Sequence, residues 1–255
     1  MTWQDILAAA RLQSAIDLGC SPEDFTRTDN VIVRSRPDSR ARRYLTLPFS
    51  CQLVSYGSNV VASVDPALEA GVADYIGRYT SYHCFETPNL HALDQLLLPH
   101  GQRTCFMAEY FLPVTELLTV PDLPYETRIL THDDFAPLYL PEWSNALCRD
   151  RAHLDVLGVG AYEHGRLIGL AGCSADCDTM WQIGIDVLPE KRGQHIAPAL
   201  VSRLAQEILL RGKIPFYCAA WSNIRSVRTA IAAGFRPAWV ELTAKPVGFV
   251  AGLNA

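Results

Sequence analysis

The chain has 255 residues, 49% of them apolar, which is enough to bury a sizeable core in one large or two small domains. Its formal charge is −5, with 9 basic against 14 acidic residues over 1–122 and 13 against 13 over 123–255. That balance argues against nucleic acid and anionic membrane as partners held by bulk charge. No apolar run reaches the ~20 residues that span a bilayer, and the first residues lack a basic, signal-like region. The expectation is a cytoplasmic protein. The eight cysteines are scattered, several inside apolar runs, and read as reduced buried thiols. Cys173-x-x-x-Cys177 lacks the second pair that a zinc site needs, so no metal is expected.

In chain order, Thr2-x-x-Asp5 reads as a capping box, opening a helix that Gly19 stops. Ser21-Pro22 restarts a short turn, and Val31 to Val33 reads as a strand. Arg34, Arg36, Arg40, Arg42 and Arg43 form the one dense basic run. Two readings stand for it: a solvated loop, or an arginine-lined mouth for an anion. Cys51 to Tyr56 and Val60 to Val64 read as a hairpin around Gly57-Ser58-Asn59. Asp65-Pro66 caps a helix to about Tyr79, Thr87-Pro88 opens another, and Thr104 to Phe111 reads as a strand.

Val120-Pro121-Asp122-Leu123-Pro124 reads as a linker, dividing a 1–122 α+β domain from a 123–255 domain. Glu126 to Leu130 then reads as a strand, and Thr131-x-x-Asp134 as the cap of a helix. Leu157 to Tyr162 and Leu167 to Ser174 are strands joined by Glu163-His164-Gly165-Arg166. A further strand from Trp181 is stopped at Leu188-Pro189, because a residue before proline is pushed out of helical geometry. Ile196, Leu200, Leu204 and Ile208 recur every fourth position and share one helix face. Arg192 to Ala197 therefore lies at a helix N-terminus, where unpartnered N–H groups and the dipole favour an anion. Ile214 to Ala220 reads as a buried strand, Ser222-Asn223 as an N-cap, and Ile224 to Ala233 as a helix ended by Gly234-Phe235.

Neither GxxxxGK[ST] nor GxGxxG is present. Val187-Leu188-Pro189-Glu190-Lys191-Arg192-Gly193-Gln194-His195-Ile196-Ala197 instead resembles the acyl-CoA signature of the GNAT N-acetyltransferase superfamily, with His195 where glycine is usual. Asn223, Gly234 and Phe235 fall in register with that family's next segment. The resemblance covers about Tyr125 to Lys245 and implies a mixed sheet flanked by helices. It also implies acetyl-CoA as co-substrate. Val187 and Leu188 would bond the acyl carbonyl, while Arg192, Gly193, Gln194, His195, Ile196 and Ala197 would hold the pyrophosphate. Asn223 would bond the pantetheine arm.

Acyl transfer to an amine needs a polarised carbonyl, a neutral amine and a place for the thiolate's charge. For the base the candidates are Asp186, beside the acyl edge, and Glu142 in the segment Leu140 to Asn145. Their competing readings are an outward strand residue and a helix start. Ala230 stands where many members carry an acidic tyrosine, which leaves Tyr217, Ser222 or water to protonate the thiolate. Trp143, Trp181, Trp221 and Trp239 either line an aromatic acceptor pocket or pack in the core.

The expected activity is transfer of an acetyl group from acetyl-CoA to a small-molecule or peptide amine, by direct attack in a ternary complex that the N-terminal domain closes over. The competing class is a non-catalytic acyl-CoA sensor, which His195 and Ala230 favour. A third is a transferase with an aminoacyl or longer acyl donor. Acceptor and oligomeric state, a homodimer included, stay open.

Overall fold

The computed structural model describes residues 1–255, in ten strands, six α-helices and a set of short 3-10 turns. The first half gives α1 (Trp3–Leu18), β1 (Val31–Arg34), β2 (Cys51–Ser55), β3 (Val61–Val64), α2 (Glu69–Arg78), α3 (Thr87–Leu97) and β4 (Gln102–Pro113). The second gives β5 (Glu126–Thr131), β6 (Asp155–Glu163), β7 (Arg166–Ser174), β8 (Met180–Val187) and α4 (Ile196–Leu210). It ends with β9 (Ile214–Ala219), α5 (Ile224–Ala232), β10 (Phe235–Pro246) and α6 (Val247–Leu253). The mixed α/β class read from the sequence is the class found. No helix is long and apolar enough to cross a membrane.

The chain does not divide at residue 122. One compact unit comprises Met1–Ala9 and Phe111–Pro237, the other Ala10–Tyr110 and Ala238–Ala255. The second unit therefore takes back the end of the chain, a return that linker composition does not announce.

In that second unit the strand order is β1-β3-β2-β10-β4. Cys51, Leu53, Ala62, Val64, Leu242 and Ala244 pack against Val72, Ile76, Leu93 and Leu97 of α2 and α3. Glu241 is buried too, and it explains one member of the basic run, Arg42, while Arg34, Arg36, Arg40 and Arg43 are exposed as a solvated loop would have them. Arg42 is 2% exposed, its Nε donating to Asp17 at 2.5 Å and its Nη2 to Glu241 at 2.5 Å. Its guanidinium also lies over the rings of Tyr44 and Tyr110, each 5.4 Å away. Burial alone would lower the guanidinium's pKa, but the two carboxylates outweigh it and hold the pKa well above its usual value. Neither a solvated loop nor an anion mouth describes Arg42. It is an internal cation, tying the 35–50 loop to α1 and β10.

The first unit has the order β9-β8-β7-β6-β5, antiparallel from β5 to β8 and parallel between β8 and β9. The β6–β7 turn uses His164 and Gly165, both at positive φ, which matches the twist of a tight hairpin. α4 lies over β6, β7 and β8 and buries Ile196, Leu200, Leu204 and Ile208, the four residues whose spacing announced it. The segment after β5 departs from expectation. Thr131 and Asp134 do form a capping box, with Thr131 N donating to Asp134 at 2.8 Å. No α-helix follows it, only short 3-10 turns at His132–Asp134, Ala136–Leu138, Pro141–Trp143 and Arg149–Leu154. Pro137 and Pro141 lack the N–H that a continuing helix would need, so each turn stops within a few residues.

Because Arg42 is one cation between two buried carboxylates, Arg42→Ala leaves both uncompensated and is expected to destabilise the fold by about 3–5 kcal/mol. Arg42→Lys, which has no planar fork to reach both, is expected to recover only part of that loss. Urea denaturation of the variants checks both.

Candidate functional site

The site is built where β8 meets α4. Pairing of β8 with β9 runs from Met180↔Ile214 to Ile183↔Tyr217 and stops there, although both strands continue. On its other side β8 stays paired with β7 as far as Gly169↔Val187. Beyond Ile183, then, one edge of β8 has no strand beside it.

Which groups face that edge follows from the ladder. Leu188 N donates to Ile168 O at 3.0 Å, so Leu188 turns its backbone toward β7. In an antiparallel pair that direction alternates, so Asp186 and Gly184 also face β7 while Ile185 and Val187 face the open edge. This corrects the expectation for Leu188, whose N–H is spent inside the sheet. Ile185, not Leu188, turns its backbone to the open edge beside Val187. Counting back by two from Val187 identifies Ile185 in the sequence, once Val187 is known to face outward.

At the end of β8 the chain makes a braced turn. Gly193 has φ +79° and His195 has φ +58°. His195 is thus a non-glycine residue in left-handed geometry, where a side chain costs strain that glycine avoids. It is the N-cap of α4, and the first helical bond runs from Ala199 N to His195 O at 3.3 Å. The N–H groups of Ile196 and Ala197 have no helical acceptor, and Pro198 has no N–H to satisfy. Gly193, Gln194 and His195 are exposed, as is Arg192. Arg192 Nε donates to Val187 O at 3.1 Å, and Lys191 Nζ pairs with Glu163 at 2.6 Å while lying over the Tyr125 ring. The Tyr125 hydroxyl donates to Gln194 Oε1. These contacts hold an exposed turn, with Arg192 on it, in one shape.

β9 and α5 form the other wall. Asn223 caps α5, its Oδ1 accepting from Ser226 N at 3.2 Å. Tyr217, at the last paired position of β9, is buried, and its hydroxyl lies 2.7 Å from Ser226 Oγ. Burial pushes its pKa up, and the Ser226 bond only partly opposes this, so the phenol keeps its proton at neutral pH. Ala230, one turn beyond Ser226, is fully buried. Ser226 carries no sequence motif of its own and was not among the expected site residues.

Opposite α4, on the face of β7 and β8 that carries Gly172 and Gly184, lies the segment after β5. A Cβ on Gly184 would sit 1.9 Å from Asn145 O, and one on Gly172 would sit 2.3 Å from Ala146 O. Asp186 accepts from Asn145 N at 2.8 Å, Asn145 Nδ2 at 2.7 Å and Ala146 N at 2.9 Å. Glu142, on the Pro141–Trp143 turn, is exposed. Asp155 of β6 holds the same segment further on. Its Oδ2 accepts from Cys148 N at 2.9 Å and from the Tyr139 hydroxyl at 3.2 Å, and burial raises its pKa.

The four tryptophans do not form one pocket. Trp143 is buried in the core of the first unit and Trp221 is exposed. Trp239 belongs to the second unit, stacked on Tyr110 and Tyr56. No cluster of three or more His, Cys, Asp or Glu side chains is placed to hold a metal ion. A cavity of about 430 Å³ opens beside β5, lined in part by Tyr125, Arg128 and Arg203, and touches neither β8 nor β9. Its two arginines already pair with Glu126 and Glu207.

Residues 121–235 match the sequence model of the Acetyltransferase (GNAT) family. No curated protein matches the chain. Among solved structures, a GCN5-related N-acetyltransferase from Sphaerobacter thermophilus is 15% identical with a TM-score of 0.50, over 96% of this chain and 93% of that one. One from Kribbella flavida is 16% identical with a TM-score of 0.48, over 99% of each. A GNAT-family structure from Novosphingobium aromaticivorans is 22% identical with a TM-score of 0.42, and the match spans 56% of this chain and 66% of that one, just under two thirds of its length. At these identities the likeness concerns the fold alone.

Asp155→Ala leaves Cys148 N–H short of an acceptor and the Tyr139 hydroxyl with Ala152 O alone, and is expected to cost about 2 kcal/mol. Asp155→Asn can put its carbonyl oxygen where Oδ2 lies and keep both bonds. The folded state holds the Asp155 proton to higher pH than the unfolded chain, so wild-type stability falls as pH rises from the usual value of 3.8 through the raised one. Asp155→Asn is expected to lose that part of the pH dependence. Thermal unfolding between pH 3.5 and pH 7 reads the difference.

Proposed function

We propose that this chain, whose residues 121–235 carry a GNAT acetyltransferase domain, transfers an acetyl group from acetyl-CoA to an amine by direct attack in a ternary complex. The observation that carries the reading is the end of β8–β9 pairing at Ile183↔Tyr217, directly before an exposed turn that opens a long helix. An extended, amide-bearing arm can lie along an unpaired strand edge, using the main-chain groups a neighbouring strand would have used.

In this reading the pyrophosphate rests on the main-chain N–H groups of Gly193, Gln194, His195, Ile196 and Ala197. Arg192, held at Val187 O through its Nε, has its remaining N–H groups available to the same phosphates. Asn223 keeps its side-chain NH₂ for the pantetheine arm, since only its oxygen is used in capping. Val187 N–H and Ile185 N–H are the donors at the edge, and a carbonyl bonded there becomes more electrophilic as its oxygen gains charge in the transition state.

In this reading the amine approaches from the face that carries the 143–146 segment and gives its proton to Glu142, which is exposed on the Pro141–Trp143 turn. Its attack on the thioester carbon forms the C–N bond, collapse breaks C–S, and the thiolate takes a proton. Tyr217, protonated and bonded to Ser226, is the proton donor assigned here in place of a phenol at Ala230.

The acceptor is tested by release of thiol from acetyl-CoA across a panel of primary amines and peptides, beside calorimetric binding of acetyl-CoA. Binding with turnover for at least one acceptor is expected. Binding with no release for any acceptor favours the sensor reading, for which the buried Ala230 speaks. With an acceptor in hand, Glu142→Gln is expected to lower kcat about 10²-fold with acetyl-CoA affinity unchanged. A normal kcat in that variant removes Glu142 as the base.

A further inference from the structure

Asp186 stands in β8 between the two residues whose backbone faces the open edge, Ile185 and Val187. A carboxylate beside a reacting centre invites the role of base, but its lone pairs are committed elsewhere. Oδ2 accepts from two successive backbone N–H groups, Asn145 at 2.8 Å and Ala146 at 2.9 Å, and Oδ1 accepts from Asn145 Nδ2 at 2.7 Å. A base must give up such bonds to receive a proton. Each bond to a charged acceptor is worth about 1.5–3 kcal/mol, so giving them up is costly.

The surface beneath the loop is shaped to match. Gly172 and Gly184 are cross-strand partners, and both are stripped of the Cβ that would strike Asn145 O and Ala146 O. Two glycines side by side lower the sheet surface where the loop backbone crosses, and the adjacent carboxylate captures the N–H groups that the crossing turns inward. Trp143, Ala146 and Leu147 then enter the core, which holds the segment from both ends.

We infer that Asp186 is a positioning residue: it seats residues 143–146 on the Gly172–Gly184 floor and thereby sets where the acceptor wall, with Glu142 at its head, stands relative to the open edge of β8. The inference rests on the transferase reading for its kinetic consequence, while the seat itself is a property of the fold. Asp186 takes no proton in the reaction.

The test uses the full chain and the acceptor found by thiol release. Asp186→Ala removes the acceptor of both backbone N–H groups, and the acceptor KM is expected to rise about tenfold, with acetyl-CoA affinity within about twofold of wild type. The acidic limb of the kcat/KM profile is expected to stay in place. Asn145→Ala, a milder change that removes one of the bonds, is expected to raise the acceptor KM less. Asp186→Ala combined with Asn145→Ala is expected to be no worse than Asp186→Ala alone, because both act on one seat. Gly184→Ala, with the carboxylate intact, is expected to give the same KM signature. Amide exchange at Asn145 and Ala146, which needs no turnover, is expected to quicken in Asp186→Ala. If the wild type turns over no acceptor, the transferase reading fails and exchange still decides the seat. Unchanged exchange overturns the inference, as does a collapsed kcat with the acidic limb lost and the acceptor KM unchanged.

Discussion

The first unit depends on one interrupted ladder. Parallel pairing between β8 and β9 ends at Ile183↔Tyr217, and backbone groups at Ile185 and Val187 face away from β7 with no strand beside them. A sheet does not leave such an edge in its middle without cost, because each N–H and C=O there needs a partner. Arg192 bonds Val187 O, which satisfies one acceptor and at the same time pulls the exposed turn against the strand end. The rest of the edge stays available to an extended chain of amides. The same interruption thus places an unpaired strand edge next to an exposed turn at a helix N-terminus.

The two faces of β7 and β8 divide the work. α4 covers one with the regular apolar stripe Ile196, Leu200, Leu204 and Ile208, a packing that needs no polar help. The other face is covered by a segment in short 3-10 turns, whose backbone groups a longer helix would have satisfied by itself. Carboxylates from the sheet do so instead: Asp186 for Asn145 and Ala146, Asp155 for Cys148. They are not equivalent. Asp155 is buried deeply enough that desolvation raises its pKa, and its bonds stabilise the segment at the expense of a charge held in the interior.

How much of this was legible depends on whether a residue's role was local. α4 and the turn before it could be read because period, proline and glycine act within a few residues, and the positive φ at His195 follows from the place where glycine was expected. The direction of Leu188 was misread because backbone orientation alternates along a strand, and its phase is fixed by a partner, Ile168, that sequence spacing does not identify. Arg42 was misread because its partners Asp17 and Glu241 lie far along the chain in both directions, so a basic run looked like a surface. The helix expected after Thr131 failed for a local reason that was available: Pro137 and Pro141 outweigh a good cap. Asp186 was found, but its role was not, since the donors it serves come from a loop brought over the sheet by two glycines.

His195 and Ala230 depart from the family pattern in different ways. At His195 the backbone keeps the left-handed geometry of glycine and accepts the strain of a side chain, so the shape of the turn is retained at a cost. That shape decides whether the N–H groups converge on an anion, and a strained residue persists only where its surroundings over-determine it. The brace of Lys191 to Glu163 and Tyr125 to Gln194 supplies that determination. At Ala230 a small side chain is buried one helical turn from Ser226, and the phenol nearby comes from β9 as Tyr217, its hydroxyl on Ser226. The first departure preserves the geometry of the turn, and the second leaves the nearby phenol on β9 and bonded to Ser226 rather than on α5.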